Sequence, residues 1–171
     1  MIRFSFLVCL LSFSVLALSQ NEPSAQEQFE QRTRQQKIGQ HHIPSDLIDA
    51  MKTLDKITPE DSKESYAAQS EDFVVERLFF SLGRWLAINW GFYDGSRFSI
   101  YLQKLGVDQP DGQKELVMRA YHRHLNDKDL DVRDLVTRYK RQKAVQDSIR
   151  LAGAEVLESF TRPAKDTLNR G

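Results

Sequence analysis

The stretch FFSLGRWLAINWGFYDGSRFSIYLQKLGVDQPDG, Phe79 to Gly112, decides how this chain folds. It holds both tryptophans and most of the glycines, while the flanking sequence is more polar. Phe73, Val74, Leu78, Phe79, Leu82, Trp85, Leu86 and Asn89 recur at threes and fours. That period predicts one long helix ending near Gly91, and a stripe this wide predicts that it is the core helix, covered on more than one side. Gly83 inside it costs about 1 kcal/mol against alanine, so it marks a close helix crossing. Phe92 to Gly95 reads as a turn pivoting on Asp94-Gly95. Ser96 then caps a helix bearing Phe98, Ile100, Tyr101 and Leu105, which Gly106 stops. After the loop VDQPDG, Asp111 caps a helix whose inward face is Leu116, Val117, Ala120, Tyr121 and Leu125, closed by Asn126-Asp127.

Working outward from this stretch, Ser45 is positioned to cap a helix carrying Leu47, Ile48, Met51 and Leu54, and Thr58-Pro59-Glu60-Asp61 has the form of a second start signal. Beyond Asp131, Val132, Leu135, Val136, Tyr139, Val145, Ile149, Ala152, Val156 and Phe160 trace a narrow stripe before Pro163. The basic interval Lys140–Lys143 is a candidate break in it. A narrow stripe on a charged helix suits packing against one neighbour or against another copy of the chain. No segment alternates as a strand does. The expectation is all-α: a compact single-domain bundle of five or six helices with a long C-terminal amphipathic helix. The core spans 43–130 and the long helix 131–162, followed by a tail over 163–171.

Residues 1–19 have the layout of a secretory signal: Arg3, an apolar run to Leu18, and small residues Ala17 and Ser19 before the cut. The run is shorter than the ~20 residues that a spanning helix needs, so no stable membrane span is expected after cleavage. The product would be periplasmic or secreted. Residues 20–42 are polar and Gln-rich and read as a flexible or partly helical arm. The only cysteine, Cys9, lies in the leader, which leaves the mature part without disulfides, cysteine-ligated zinc or a thiol nucleophile. The formal net charge is zero, and a nucleic-acid binder needs an excess of basic residues.

The order Leu82-Gly83, Trp85, Trp90-Gly91, Gly106, Pro110-Asp111 and Tyr121-His122 resembles a small uncharacterised bacterial domain family. Its signature is Gly-Leu-Gly-x-Trp…Asn-x-Trp-Gly-Leu-Trp, followed by Pro-Asp-Asp. The resemblance covers about Ile43 to Leu135. Ala87-Ile88 replaces an Arg-Asn pair of that pattern, and Gly112 replaces the second Asp. Apolar and glycine positions are kept better than polar ones, so the resemblance implies a shared fold and no known activity.

No nucleophile motif, phosphate-cradling loop or metal-ligand spacing occurs, and no cofactor is implied. His122 and His124, two apart on a helix, face away from each other and cannot share a metal. The carboxylates Asp94, Asp108 and Asp111 flank the aromatic stretch and would serve a glycosidase if paired, although each also has a local reason to be where it is. The remaining feature is the aromatic centre. Its candidate binding residues are Arg84, Trp85, Asn89, Trp90, Tyr93, Asp94, Arg97 and Asp111, with Arg119 and Arg123 extending a basic rim. The functional expectation is an exported, non-enzymatic module that binds a protein or envelope component. The alternatives are a small envelope-glycan hydrolase using the loop carboxylates, or an assembly protein self-associating through the C-terminal helix.

Overall fold

The computed structural model describes residues 23–161, with side chains as far as Ala154. The leader at 1–19 and the tail at 163–171 lie outside the described residues. The described chain is all-α apart from one small hairpin. Its order is α1 (Ala25–Arg34), β1 (Lys37–Ile38), β2 (His41–His42), α2 (Leu47–Ile57), α3 (Glu60–Ala67), α4 (Glu71–Leu78), α5 (Leu82–Asn89), α6 (Arg97–Lys104), α7 (Pro110–Leu125) and α8 (Val132–Thr161). Eight described helices replace the expected five or six. None of them is long and apolar enough to cross a membrane.

Three differences from the expected pattern have physical reasons. The helix expected to run unbroken to Gly91 is two helices, because Phe79–Ser81 forms a tight turn. Ser81 N–H and Ser81 Oγ both donate to the Leu78 carbonyl, at 3.1 and 3.2 Å. A serine hydroxyl competes in this way with the helical pattern. Phe73, expected in the stripe, faces solvent.

The second difference is the identity of the core helix, which is α7. It packs against α2, α3, α4, α5, α6 and α8, and every residue from Gly112 to His122 except Glu115 is buried. Most of its buried polar groups are paired, while Tyr121 Oη and His122 Nδ1 have no partner among the described residues. Gln113 Nε2 donates to the Val107 carbonyl at 3.0 Å while its Oε1 accepts from Ser99 Oγ at 3.0 Å. The Lys114 ammonium lies 4.2 Å from the Phe79 ring centre and 2.6 Å from Asp111. Gly83 marks the expected crossing, since a Cβ there would meet Met118 Sδ at 3.3 Å.

Third, the segment expected to be a flexible or partly helical arm carries a helix and, beyond that expectation, a hairpin. Ser24 and Glu27 form a reciprocal capping box that starts α1, and Gly39, at φ +56°, turns β1 into β2. Several caps are also displaced from their expected positions. Asp46, not Ser45, caps α2; Thr58 ends α2, and Pro59 stands before α3; Gln109 precedes α7, with Asp111 inside its first turn. Ser96 caps α6 as expected, accepting from Ser99 N–H at 3.1 Å. α8 runs unbroken through the basic interval at 140–143.

Candidate functional site

Trp90 ends α5 and is fully buried. Its ring meets Trp85, Phe92 and Phe98 edge-on, with centroids 6.1, 6.4 and 5.4 Å away. This arrangement suits the quadrupoles of aromatic rings, and it makes most of the aromatic stretch core. Trp85, one turn earlier, is only half-buried and forms the wall of a cleft of about 360 Å³. α2 supplies Asp49, Thr53, Lys56 and Ile57 to that cleft, and the hairpin supplies Gln40, His41 and His42. The His41 ring stands edge-on to Trp85 at 5.2 Å. A wider, more open groove of about 530 Å³ shares His41, Ile57 and Trp85 and continues over Pro59 and Leu82.

The hairpin is held at this place by close fit and by charge. Gly91 has φ +66°, a conformation that favours glycine, and a Cβ there would lie 2.9 Å from Ile38 Cδ1. Phe29 of α1 packs in the same way over Gly95, 3.0 Å from where a Cβ would be. His42 Nε2 lies 2.9 Å from Asp49 Oδ2, which also accepts from Ser45 N–H at 2.9 Å. Burial works to raise the Asp49 carboxyl, but the His42 and Ser45 hydrogen bonds and the Arg97 charge outweigh it and hold it below its ordinary value. An ionised carboxylate only accepts, so His42 donates from Nε2.

Because Asp49 is depressed on folding, the stability it lends is fully present above its ordinary value of 3.8 and is lost as pH falls through the lowered folded value. Amide exchange at 37–43 is expected to accelerate on acidification in that window, and His42→Ala is expected to give fast exchange there already at neutral pH. Protection of 37–43 that is unchanged in His42→Ala would refute the pairing.

The structure separates the residues expected to form one site. Trp85 and Trp90 both line the cleft, Trp90 as its fully buried floor, with its indole N–H unpartnered among the described residues. Arg97 is a clamp: its guanidinium donates twice to the Ile43 carbonyl and stands 3.9 Å from Asp49. Asn89 Nδ2 donates to the Trp85 carbonyl of its own helix at 2.9 Å. Arg84, Tyr93 and Asp94 are exposed and line neither cleft. Asp111 is on the opposite flank of the sequence stretch, paired with Lys114 near α8.

Arg119 and Arg123 form no rim with Arg97. Arg119 bonds Glu71, Asp72 and Glu115, and Arg123 bonds Glu71 and Asp134. Asp108 is bonded to Tyr139 Oη and lies 2.6 Å from Lys143 Nζ, and these partners pull its carboxyl down to about 2. His122 Nε2 is 2.8 Å from the Gln69 carbonyl, and His124 Nε2 is 2.7 Å from Asp55. No group of three or more metal-ligating side chains occurs among the described residues.

Reading the sequence by itself took His41 and His42 for tether residues suited at most to weak metal binding, and gave Asp49, Thr53, Lys56 and Ile57 no site role. The signal for the histidines was Gly39-Gln40 between Ile38 and His41, a glycine-first two-residue hairpin loop. Asp49 and Lys56 looked like the solvated face of an amphipathic helix.

No curated protein and no solved structure matches the chain. A family model does match, over residues 43–125, which is the span from the carbonyl held by Arg97 to the end of α7. That core of the chain is similar to the family described as a domain of unknown function, DUF6794.

Proposed function

We propose that the protein is an exported, non-enzymatic interaction module that holds a protein or envelope component in the cleft walled by Trp85. The carrying observation is the cleft's composition. A half-buried tryptophan and a half-exposed Ile57 (48%) sit beside Asp49, Lys56 and two histidines, and the apolar part continues into the open groove. Anchors of this kind, aromatic at the centre with a polar rim, carry most of the energy in protein recognition. Export, to a periplasmic or secreted location, rests on the form of residues 1–19. The alternative of an envelope-glycan hydrolase asks for an acid and a base flanking one cleft. Asp108 is committed to Lys143 and stays ionised, and none of Asp94, Asp108 and Asp111 lines the tryptophan cleft, which favours the binding reading.

The test is capture from an envelope extract of the source cell by the wild-type protein, by Trp85→Ala and by Tyr93→Ala, each checked by circular dichroism. Trp85→Ala is expected to weaken capture at least tenfold, as loss of a central anchor does (about 2 kcal/mol or more). Tyr93→Ala, exposed and outside the cleft, is expected to leave capture unchanged. Equal capture by folded Trp85→Ala would remove the cleft from the account.

A further inference from the structure

The far half of α8 leaves the domain. Lys143 makes the last ion pair to the body of the protein among the described residues. From Ala144 to Ala154 every residue but Asp147 is exposed, including Val145 at 55%, Ile149 at 68% and Leu151 at 65%. The helix nevertheless continues to Thr161, and over Ala144–Ala154, about 16 Å of its length, the described side chains stand without tertiary support. Helices of this length are marginal alone in water. Gly153, which weakens a helix further, has nothing within 4 Å in its own chain.

We propose that this segment pairs antiparallel with the same segment of a second copy. Val145, Ile149, Ala152 and Val156 are spaced by four, three and four, the spacing of a coiled-coil seam. Antiparallel layering sets Val145 against the second copy's Val156, and Ile149 against its Ala152. That register also sets Lys143 opposite the second copy's Glu158, within a turn of Lys140 and Arg141. The charges select this direction. The basic residues Lys140, Arg141 and Lys143 precede the seam's centre, and Glu155 and Glu158 follow it. Parallel pairing would set basic against basic and acid against acid. Length agrees as well, since the second copy's Thr161 falls opposite Lys140, where α8 joins its own domain. Each free half covers the other, and the two domains lie at opposite ends of a closed twofold pair.

The experiment is sedimentation equilibrium of the purified protein across a concentration series. Wild type is expected to be a dimer that dissociates on dilution, and Ile149→Glu a monomer throughout with an unchanged domain melting curve. Lys140→Glu with Arg141→Glu is expected to raise the dissociation constant at least tenfold. Adding Glu155→Lys with Glu158→Lys to that same chain is expected to restore it. A wild-type monomer at every concentration, a dimeric Ile149→Glu, or a charge reversal without effect would each overturn the proposal.

Discussion

Replacing Arg119 by alanine is expected to destabilise the protein by about 3 kcal/mol, the low end of what removing one partner from a buried ion pair costs. The side chain is only 7% exposed, and it ties α7 to the start of α4. Nε bonds Glu115 at 2.8 Å, while Nη1 bonds Glu71 at 3.0 Å and Asp72 at 2.7 Å. Glu71 and Asp72 open α4, where their charge also meets the positive end of the helix dipole. Without the guanidinium, two carboxylates that are largely shielded from water lose a partner, and of the ion pairs between α4 and α7 only Arg123–Glu71 remains among the described residues. Against a typical total of about 5–15 kcal/mol, the loss is large. Urea unfolding measures it directly, and a change below about 0.5 kcal/mol, the range of an ordinary surface substitution, would contradict it.

The same contacts set an acid response. Burial raises the Glu71 carboxyl, but its hydrogen bonds to Arg123 and Arg119 outweigh that; for Asp72 the bond to Arg119 leads. Both carboxyls sit below their ordinary 4.5 and 3.8. Their stabilisation is therefore present above those values and is lost as pH falls through the folded ones. Arg119→Ala is expected to shift the acid unfolding midpoint upward.

Gly112→Ala is the second large effect, and here two physical terms of opposite sign compete. An alanine inside a helix gains about 1 kcal/mol over glycine. At Gly112, however, the new Cβ would lie 2.2 Å from Tyr139 Cε2 and 2.4 Å from Cδ2, well inside van der Waals contact. Tyr139 cannot swing aside cheaply: it is 7% exposed, its hydroxyl is bonded to Asp108, and it accepts from Gln109 N–H at 3.3 Å. Overpacking of this kind costs about 1–3 kcal/mol or more, and the collision is severe enough for that term to win. A net loss of about 2 kcal/mol is expected, with faster amide exchange in the first turns of α8. A stabilised Gly112→Ala would mean that α8 does not pack on α7 as described. Tyr139 also supplies a reason for the glycine at 112, where the resembling signature has a second Asp. It belongs to α8, beyond the family match that ends at residue 125.

The legible part of the fold was the part built from period and punctuation. Ser96, Gly95 and Gly106 delimit α6 as read, and Gly83 is where α5 crosses α7. The misread part was hidden by polar residues whose partners lie far along the chain. Gln113, Arg119 and His122 give α7 the look of a surface helix, yet each is buried because Ser99, Glu71 and Gln69 reach it from other elements. Trp90 was read both as aromatic core and as a binding residue, and it is fully buried at the floor of the cleft, a depth that periodicity does not give. The cleft was invisible for a related reason. A third of its lining comes from a segment polar enough to pass for a tether, fixed by Ile38 against Gly91, Phe29 over Gly95 and His42 on Asp49.

The most direct measurement is hydrogen exchange on the intact protein, with and without the component that it captures. The account predicts added protection at 40–42, 49–57 and 82–86, the segments lining the tryptophan cleft and its groove, with α7 and the start of α8 unchanged. Protection confined to the region around Asp94, or to the Asp108–Tyr139 flank, would contradict it and move the binding face elsewhere on the domain.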